Sequence, residues 1–243
     1  MLKFIPQIVF MNLGKQIAEG AGHKVYEHES APTLLVKIPK PGMTCIPFDD
    51  MESDLNIARE RFGNWLAKTE IEKDSDGSYI IVQEKVEHAK HITPKDLERK
   101  EIRQQIEEIL KTNRHSLQQD GVGLDFIGLE GSAKCVLSNQ KKWKGGAVDK
   151  WLITPILKGA LLLKQLFPKL LIPEQVLDWW NDEALTSEIT NIIIGEKEGR
   201  EHVYIVDPSL VHNNAESRKE KVRTAILQLW NRRFLKKNFD LDL

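Results

Sequence analysis

The stretch NIIIGEKEGREHVYIVD, residues 191–207, decides the fold that we predict for this chain. It holds two short runs rich in β-branched residues around a charged segment with a glycine, a pattern typical of a β-hairpin. Asn191 leads into the first run and Asp207 follows the second, so antiparallel pairing brings an amide and a carboxylate to one end of two neighbouring strands. Such a pair suits Mg²⁺ beside phosphate and water. The alternative is that Asn191 caps a turn and Asp207 begins an Asx-turn before Pro208.

The N-terminal part, from Ile8 to Ile38, predicts a β-meander with Gly20 and Gly22 in its first turn. Glycines in such a turn let backbone N–H groups approach a phosphate, although most glycine turns are only turns. Lys37 ends the apolar strand that begins at Leu34, where its ammonium could meet phosphates or lie in solvent.

A helix is predicted from Phe48 to Thr69 by apolar residues at helical spacing. Glu60 and Glu52 on this helix could each pair with Lys37, and Glu60 is preferred because it lies nearer the middle of the helix. The simpler interpretation makes both solvent-facing glutamates.

Further elements follow along the chain. Tyr79–Val86 predicts a buried strand, and Thr93 with Pro94 begins a helix that ends near Gly121. Asp125 lies in the glycine-rich stretch that comes next. Residues 132–146 are predicted as loop, residues 151–180 as largely helical, and residues 216–237 as a helix with an apolar stripe.

Composition limits the function classes. The 243 residues are 41% hydrophobic and 29% charged with a net charge of −1, which excludes a disordered or fibrous chain and any whole-molecule attraction to nucleic acid or anionic membranes. Cys45 and Cys135 lack metal-ligand spacing and favour a reducing compartment, with a bridge between them left open. No signal peptide is recognised, and lysines and prolines within residues 151–172 argue against a membrane span. We expect a cytoplasmic protein with no integral membrane segment.

The last helix carries a local basic patch. We interpret it as a solvated face over an apolar stripe and expect no nucleic-acid partner, with a nucleic-acid or membrane surface as the alternative. Its basic residues are Arg218, Lys219, Lys221, Arg223, Arg232, Arg233, Lys236 and Lys237.

Together these motifs resemble the protein-kinase-like fold from about Lys15 to Leu210. EGAGHKVY (19–26) is similar to its glycine-rich loop, LLVK (34–37) to its third strand, YIIVQEKVEH (79–88) to its fifth strand and hinge, and TNIII with YIVDPS (190–194 and 204–209) to its metal-binding motifs. The resemblance implies an α+β, two-lobed chain that uses ATP and Mg²⁺. Residues 1–90 would form a small β-rich, nucleotide-binding N-lobe, and residues 91–243 a mainly helical C-lobe with the metal-binding hairpin.

The resemblance also implies a role for each matched position. Lys37 would contact the α- and β-phosphates with Glu60 as its helix partner, Gly20, Gly22 and Val25 would line the nucleotide, Glu84 and Val86 would contact adenine through their backbone, and Asn191 and Asp207 would bind the metal.

Departures from the family pattern affect the chemistry. The third glycine of the loop is replaced by His23 or Lys24, and Asp207-Pro208-Ser209 stands in place of Asp-Phe-Gly. Thr186 occupies the position expected for the catalytic aspartate, and no His-Arg-Asp triplet occurs.

An alternative alignment supplies a general base. It puts Asp125 at the catalytic position and makes residues 129–185 a long insertion, while Asp182 and Glu188 are weaker candidates for the base. Each of these acids could equally be a surface residue.

Two functions therefore remain open. The first is an atypical kinase-like phosphotransferase with an unknown protein or small-molecule acceptor. The second is a pseudokinase that acts as a binding or regulatory module. The short segment between Pro208 and the last helix favours a small-molecule acceptor or a non-catalytic role.

Overall fold

The computed structural model describes residues 13–19, 23–39, 47–73, 79–126, 189–212 and 218–242. Its strands are β1 (Leu13–Glu19), β2 (His23–His28), β3 (Leu34–Pro39), β4 (Thr69–Lys73), β5 (Tyr79–Glu84), β6 (Lys90–Ile92), β7 (Val122–Leu124), β8 (Ile189–Lys197), β9 (Arg200–Ile205) and β10 (Leu210–His212). Its α-helices are α1 (Phe48–Phe62), α2 (Lys100–Gln119) and α3 (Arg218–Phe239), and a short 3₁₀ helix spans Pro94–Glu98. The predicted α+β class is confirmed, with strands predominating in the N-terminal part.

Several predictions concern residues outside those described. They are the glycines of the first turn, the loop and helical region of residues 132–180, both cysteines, and the positions Thr186, Asp182 and Glu188.

The N-terminal strands form one antiparallel sheet of five strands in the order β1-β2-β3-β5-β4. The predicted meander is its first half, and Lys37 lies in register between Val25 on one side and Ile81 on the other. The edge strand β4 was not predicted, because its sequence TEIEK alternates charged with smaller or apolar residues over only 5 residues.

The helix α1 ends seven residues before the predicted boundary, and that part of the prediction is wrong. Trp65 and Leu66 keep the helical spacing of apolar residues, but their backbone serves a different purpose. Ile205 N donates to Trp65 O at 2.7 Å and Ala67 N donates to Ile205 O at 3.0 Å, which forms a parallel bridge between Leu66 and Ile205. A turn over residues 63–65 therefore ends the helix, and the chain then pairs with Ile205 at Leu66.

The helix predicted from Pro94 to Gly121 is divided into two. Thr93 caps its start as predicted, and the carboxylate of Asp96 accepts from Thr93 N at 3.0 Å and from Thr93 Oγ1 at 2.8 Å. Arg99 then adopts an extended conformation with ψ 117°, so a 3₁₀ turn precedes α2 and no single helix forms.

The predicted hairpin is confirmed and is longer than expected. β8 and β9 pair from Ile192 opposite Ile205 to Lys197 opposite Arg200, and β6 adds a third strand. Glu198 and Gly199 form the two-residue turn with φ of 53° and 75°, the left-handed conformation that such hairpin turns require.

Two short strands that were not predicted fix the chain near Asp125. β7 pairs with β10, and just beyond this pairing Asp125 N donates to Ser209 O at 3.0 Å. On the α2 side, the side-chain oxygen of Asn113 accepts from Leu124 N at 2.6 Å.

The hydrophobic interior is unevenly distributed. A continuous cluster joins α1, α2, α3, the hairpin and the β7–β10 pair, with Trp230 and Phe234 of α3 fully buried within it. One face of the N-terminal sheet holds a separate small cluster of Val36, Ile80 and Val82. Among the described residues, no helix combines the length and apolar character needed to span a bilayer.

Candidate functional site

Lys37 reaches from the N-terminal sheet to the hairpin. Its Nζ donates a hydrogen bond of 2.7 Å to the carbonyl oxygen of Val206, the residue just before Asp207. Gln83 of β5 donates to the same oxygen at 2.9 Å and to Thr69 Oγ1 at 2.7 Å. Two donors from adjacent strands of the sheet therefore converge on the backbone at the end of β9.

The ammonium of Lys37 lies among protein atoms, although the residue as a whole is only half-buried. Burial lowers the pKa of Lys37, and the negative charge of Asp207 opposes that shift. A cation and a carboxylate are thus held close together at the junction of the sheet and the hairpin.

Asp207 is half-buried and is oriented by its neighbours. Ser209 Oγ donates to Asp207 Oδ1 at 2.9 Å, and Asp207 N lies 3.5 Å from Asn191 O. Burial and the charge of Asp207 both raise the pKa of the Tyr79 phenol, whose buried hydroxyl has no hydrogen-bond partner among the described residues. Tyr79 was not among the residues predicted for this site.

Asn191 lies beside Asp207, as the hairpin pattern predicted. Asn191 O accepts from Val206 N at 3.0 Å, and Asn191 Nδ2 donates to the carbonyl oxygen of Asp125 at 2.6 Å. The side chain is buried, with 6% of the residue exposed. The hydrogen bond from Nδ2 fixes the direction in which the amide presents its oxygen.

Asp125 sits directly behind Asn191. Only 1% of the residue is exposed, and its carboxylate accepts from Asn231 Nδ2 at 3.0 Å. Asn231 also accepts from Phe126 N at 2.6 Å through its own side-chain oxygen. The structure therefore brings Asp125 next to Asn191, with its carboxylate turned toward α3.

Glu60 is not brought to Lys37. Its side chain is 69% exposed and lies 3.7 Å from Arg61, and Glu52 is also exposed. The buried acid of α1 is Asp54, whose Oδ1 is 2.7 Å from Nε2 of His212. Asp54 shares the buried face of α1 with Leu55, Ala58 and Phe62, so its place on the apolar stripe was a signal that could have identified it.

The positions predicted to contact adenine lie at the end of β5 and beyond it. Glu84 N donates to Lys68 O at 2.8 Å, and Glu84 Oε1 accepts from Lys68 N at 2.9 Å. Val86 packs against Gly195 of β8. Val25 lies beside Lys37 in the sheet.

A cavity of about 720 Å³ is lined by residues of β3, β4 and β5 and by the end of α1 with the segment that follows it. The strand residues that line it include Leu34, Val82 and Glu84, which alternate with Leu35, Lys37 and Gln83 and so project to the opposite side. The lining also includes Thr69, whose Oγ1 accepts from Gln83, so the cavity reaches the residues that support the Lys37 contact, although neither Lys37 nor Asp207 lines it.

The donor set at the hairpin fits a hard divalent cation. Asp207 would offer a carboxylate and Asn191 an amide oxygen, which are oxygen ligands of the kind that Mg²⁺ takes. The positive charge of Lys37 beside them suits the phosphate groups.

No protein-family model matches the chain, and no curated protein matches it in sequence. Among solved structures it is similar to the choline kinase LicA from Streptococcus pneumoniae, with 13% sequence identity and a TM-score of 0.44. That alignment covers 97% of this chain and 78% of the other.

Proposed function

We propose that the chain is an atypical kinase-like phosphotransferase that binds ATP with Mg²⁺. The observation that carries the proposal is the hydrogen bond from Lys37 Nζ to the carbonyl oxygen of Val206. This bond places the ammonium beside Asp207 and Asn191. Lys37 of the five-stranded sheet supplies a cation for the phosphates. The hairpin of the other sheet supplies the carboxylate of Asp207 and the amide oxygen of Asn191 as metal ligands.

Each side chain then has a specific task. Lys37 neutralises the α- and β-phosphates. The negative charge of the phosphates offsets the free-energy cost of burying its ammonium. Asn191 and Asp207 hold Mg²⁺, which when bound supplies charge neutralisation to the phosphate oxygens. Gly20 and Gly22 supply backbone N–H groups to phosphate, Val25 covers the nucleotide, and the backbone of Glu84 and Val86 contacts adenine.

The division into lobes belongs to the same proposal. The stretch from Glu87 to Thr93 would separate a nucleotide-binding N-lobe, residues 1–90, from a C-lobe, residues 91–243. The proposal is supported by the small cluster of the sheet, which is separate from the cluster that joins the helices and hairpin. Only 5 residues separate β10 from α3, which favours a small-molecule acceptor over a protein.

A second candidate keeps nucleotide binding and omits transfer. Asp125, proposed as the general base, has its carboxylate buried against Asn231. A base must reach the proton that it removes, so this burial favours a binding or regulatory module of the pseudokinase type.

Thermal unfolding with ATP and ATP hydrolysis test both candidates. Saturation at 100 times the dissociation constant adds about 2.7 kcal/mol, which for a chain of this size raises Tm by about 5–10 °C. We expect this rise in the wild type with Mg-ATP, and its loss in Lys37→Met and Asp207→Asn. Lys15→Met, which changes an exposed lysine of β1, is the matched control and should keep the rise.

The two measurements separate the outcomes. A rise in Tm together with hydrolysis supports the phosphotransferase, and a rise without hydrolysis or transfer supports the binding module. Absence of any rise in the wild type with Mg-ATP would remove both.

A further inference from the structure

Asn231 is a polar residue at the centre of an apolar helix face. It lies in α3 among Leu227, Trp230 and Phe234, all of which are buried. Burying an amide in such a place is unfavourable unless each of its hydrogen-bonding groups has a partner, so its partners indicate what it does.

Both ends of the Asn231 amide are occupied. Nδ2 donates to Asp125 Oδ1 and to Leu227 O, each at 3.0 Å. Oδ1 accepts from Phe126 N at 2.6 Å. An amide can donate and accept at the same time, so Asn231 fixes both the carboxylate of Asp125 and the peptide that follows it.

That peptide is the one that orients Asn191. The bond between Asp125 and Phe126 carries the carbonyl oxygen that accepts from Asn191 Nδ2 at 2.6 Å and the N–H that Asn231 binds. Rotation of this peptide would move the acceptor of Asn191 and turn its amide. α3 is thereby connected to the hairpin through one planar group.

We propose that Asn231 is a positioning residue that, through the Asp125–Phe126 peptide, sets the orientation of the Asn191 amide oxygen toward Mg²⁺. This inference rests on the proposed function, and it gives Asp125 a positioning role in place of the role of general base. Groups that orient a metal ligand are worth 10–100-fold in metal affinity in other proteins, and we expect about tenfold here.

The measured quantity is the increase in ATP affinity caused by Mg²⁺. Calorimetry with ATP in Mg²⁺ and with ATP in EDTA gives two dissociation constants, and their ratio isolates the metal contribution. Asn231→Asp loses the donor to Asp125 Oδ1 and places a second carboxylate beside it, so repulsion should displace Asp125 with its peptide and the ratio should fall about tenfold. Affinity in EDTA should stay unchanged, because Lys37 is not altered. Asn231→Ser adds no charge and should show the same fall if the aspartate variant does not fold.

The matched control is Asn113→Asp. Asn113 is equally buried and accepts from the N–H of Leu124, two residues before Phe126, and no hydrogen bond is found between it and the Asp125–Phe126 peptide. The Asn113→Asp variant should be less stable than the wild type and should keep the wild-type ratio of the two dissociation constants. The exchange variant, Asp125→Asn with Asn231→Asp, reverses the donor and acceptor and should restore the ratio.

The outcomes are distinguishable. An unchanged ratio in the Asn231 variants, an equal fall in Asn113→Asp, or no recovery in the exchange variant overturns the inference and leaves nucleotide binding intact. A wild type that binds ATP equally with and without Mg²⁺ overturns the metal site and the inference with it. A wild type that does not bind ATP overturns the proposed function as well.

Discussion

The N-terminal sheet and the hairpin each supply part of the candidate site, but they are packed very differently. The hairpin lies in a cluster that also includes α1, α2 and α3, whereas the sheet has a small separate cluster of Val36, Ile80 and Val82 on one face. Lys37 comes from the sheet, and Asn191 and Asp207 come from the hairpin. The proposed metal ligands Asn191 and Asp207 therefore belong to the main core, whereas Lys37, proposed to bind phosphate, belongs to a more lightly packed layer.

The largest expected effect on stability comes from the same substitution, isoleucine to alanine, made once in each of the two clusters. Ile194 of β8 is 1% exposed in the main cluster, and Ile80 of β5 is 4% exposed in the small one. Isoleucine-to-alanine changes cost about 2–5 kcal/mol, the higher values arising where the surroundings cannot collapse. We expect about 4 kcal/mol for Ile194→Ala and about 2 for Ile80→Ala in urea unfolding. Equal costs would contradict the comparison.

The second prediction concerns the place where the two regions touch. A Cβ on Gly195 would lie 2.0 Å from Val86 Cγ1 and 3.0 Å from Glu87 O, so the chain after β5 packs directly on β8. Overpacking of this kind costs about 1–3 kcal/mol, and we expect Gly195→Ala to lose about 2 kcal/mol of unfolding free energy.

Val86→Ala provides the check on that clash. Added to Gly195→Ala, it removes the side-chain atom that the new methyl would meet, so the double variant should be more stable than the sum of the two single effects. Simple additivity in urea unfolding would show that the contact between these segments is not close.

Local patterns predicted the elements that depend on local physics. The hairpin of residues 191–207, the meander around Lys37 and the stripe of α3 each follow from a repeating pattern of apolar residues or from turn residues. The end of α1 did not follow, because the backbone of Leu66 pairs with Ile205, about 140 residues away along the chain. A helical spacing of apolar residues does not reveal such a pairing.

The site was predicted in part for the same reason. Asn191 and Asp207 are close because they belong to one hairpin, whereas Asp54 with His212 and Asn231 with Asp125 meet only through tertiary packing. Glu60 was preferred for its position near the middle of α1, although the apolar stripe contains Asp54. A polar residue within an apolar stripe was the better indication of a buried contact.

The smallest expected effect is on stability and concerns Lys37. Its folded pKa lies below the usual 10.5 because burial disfavours the ammonium more than Asp207 favours it. Methionine has a similar length and no charge to bury, so Lys37→Met should unfold at the same urea concentration as the wild type at pH 7, or a higher one. A residue kept for stability alone would show a clear loss.

The lowered pKa of Lys37 also predicts how the free energy of unfolding changes with pH. Well below the folded pKa, both folded and unfolded states carry the proton and the burial penalty is complete. As pH rises through the folded pKa toward 10.5, the folded state releases its proton first, and the penalty is relieved. Wild-type stability relative to Lys37→Met should therefore increase over that interval, as urea unfolding at several pH values would measure. An opposite slope would mean that the sheet holds its lysine as a favourable ion pair with Asp207, and the cation would then contribute to folding as well as to the site.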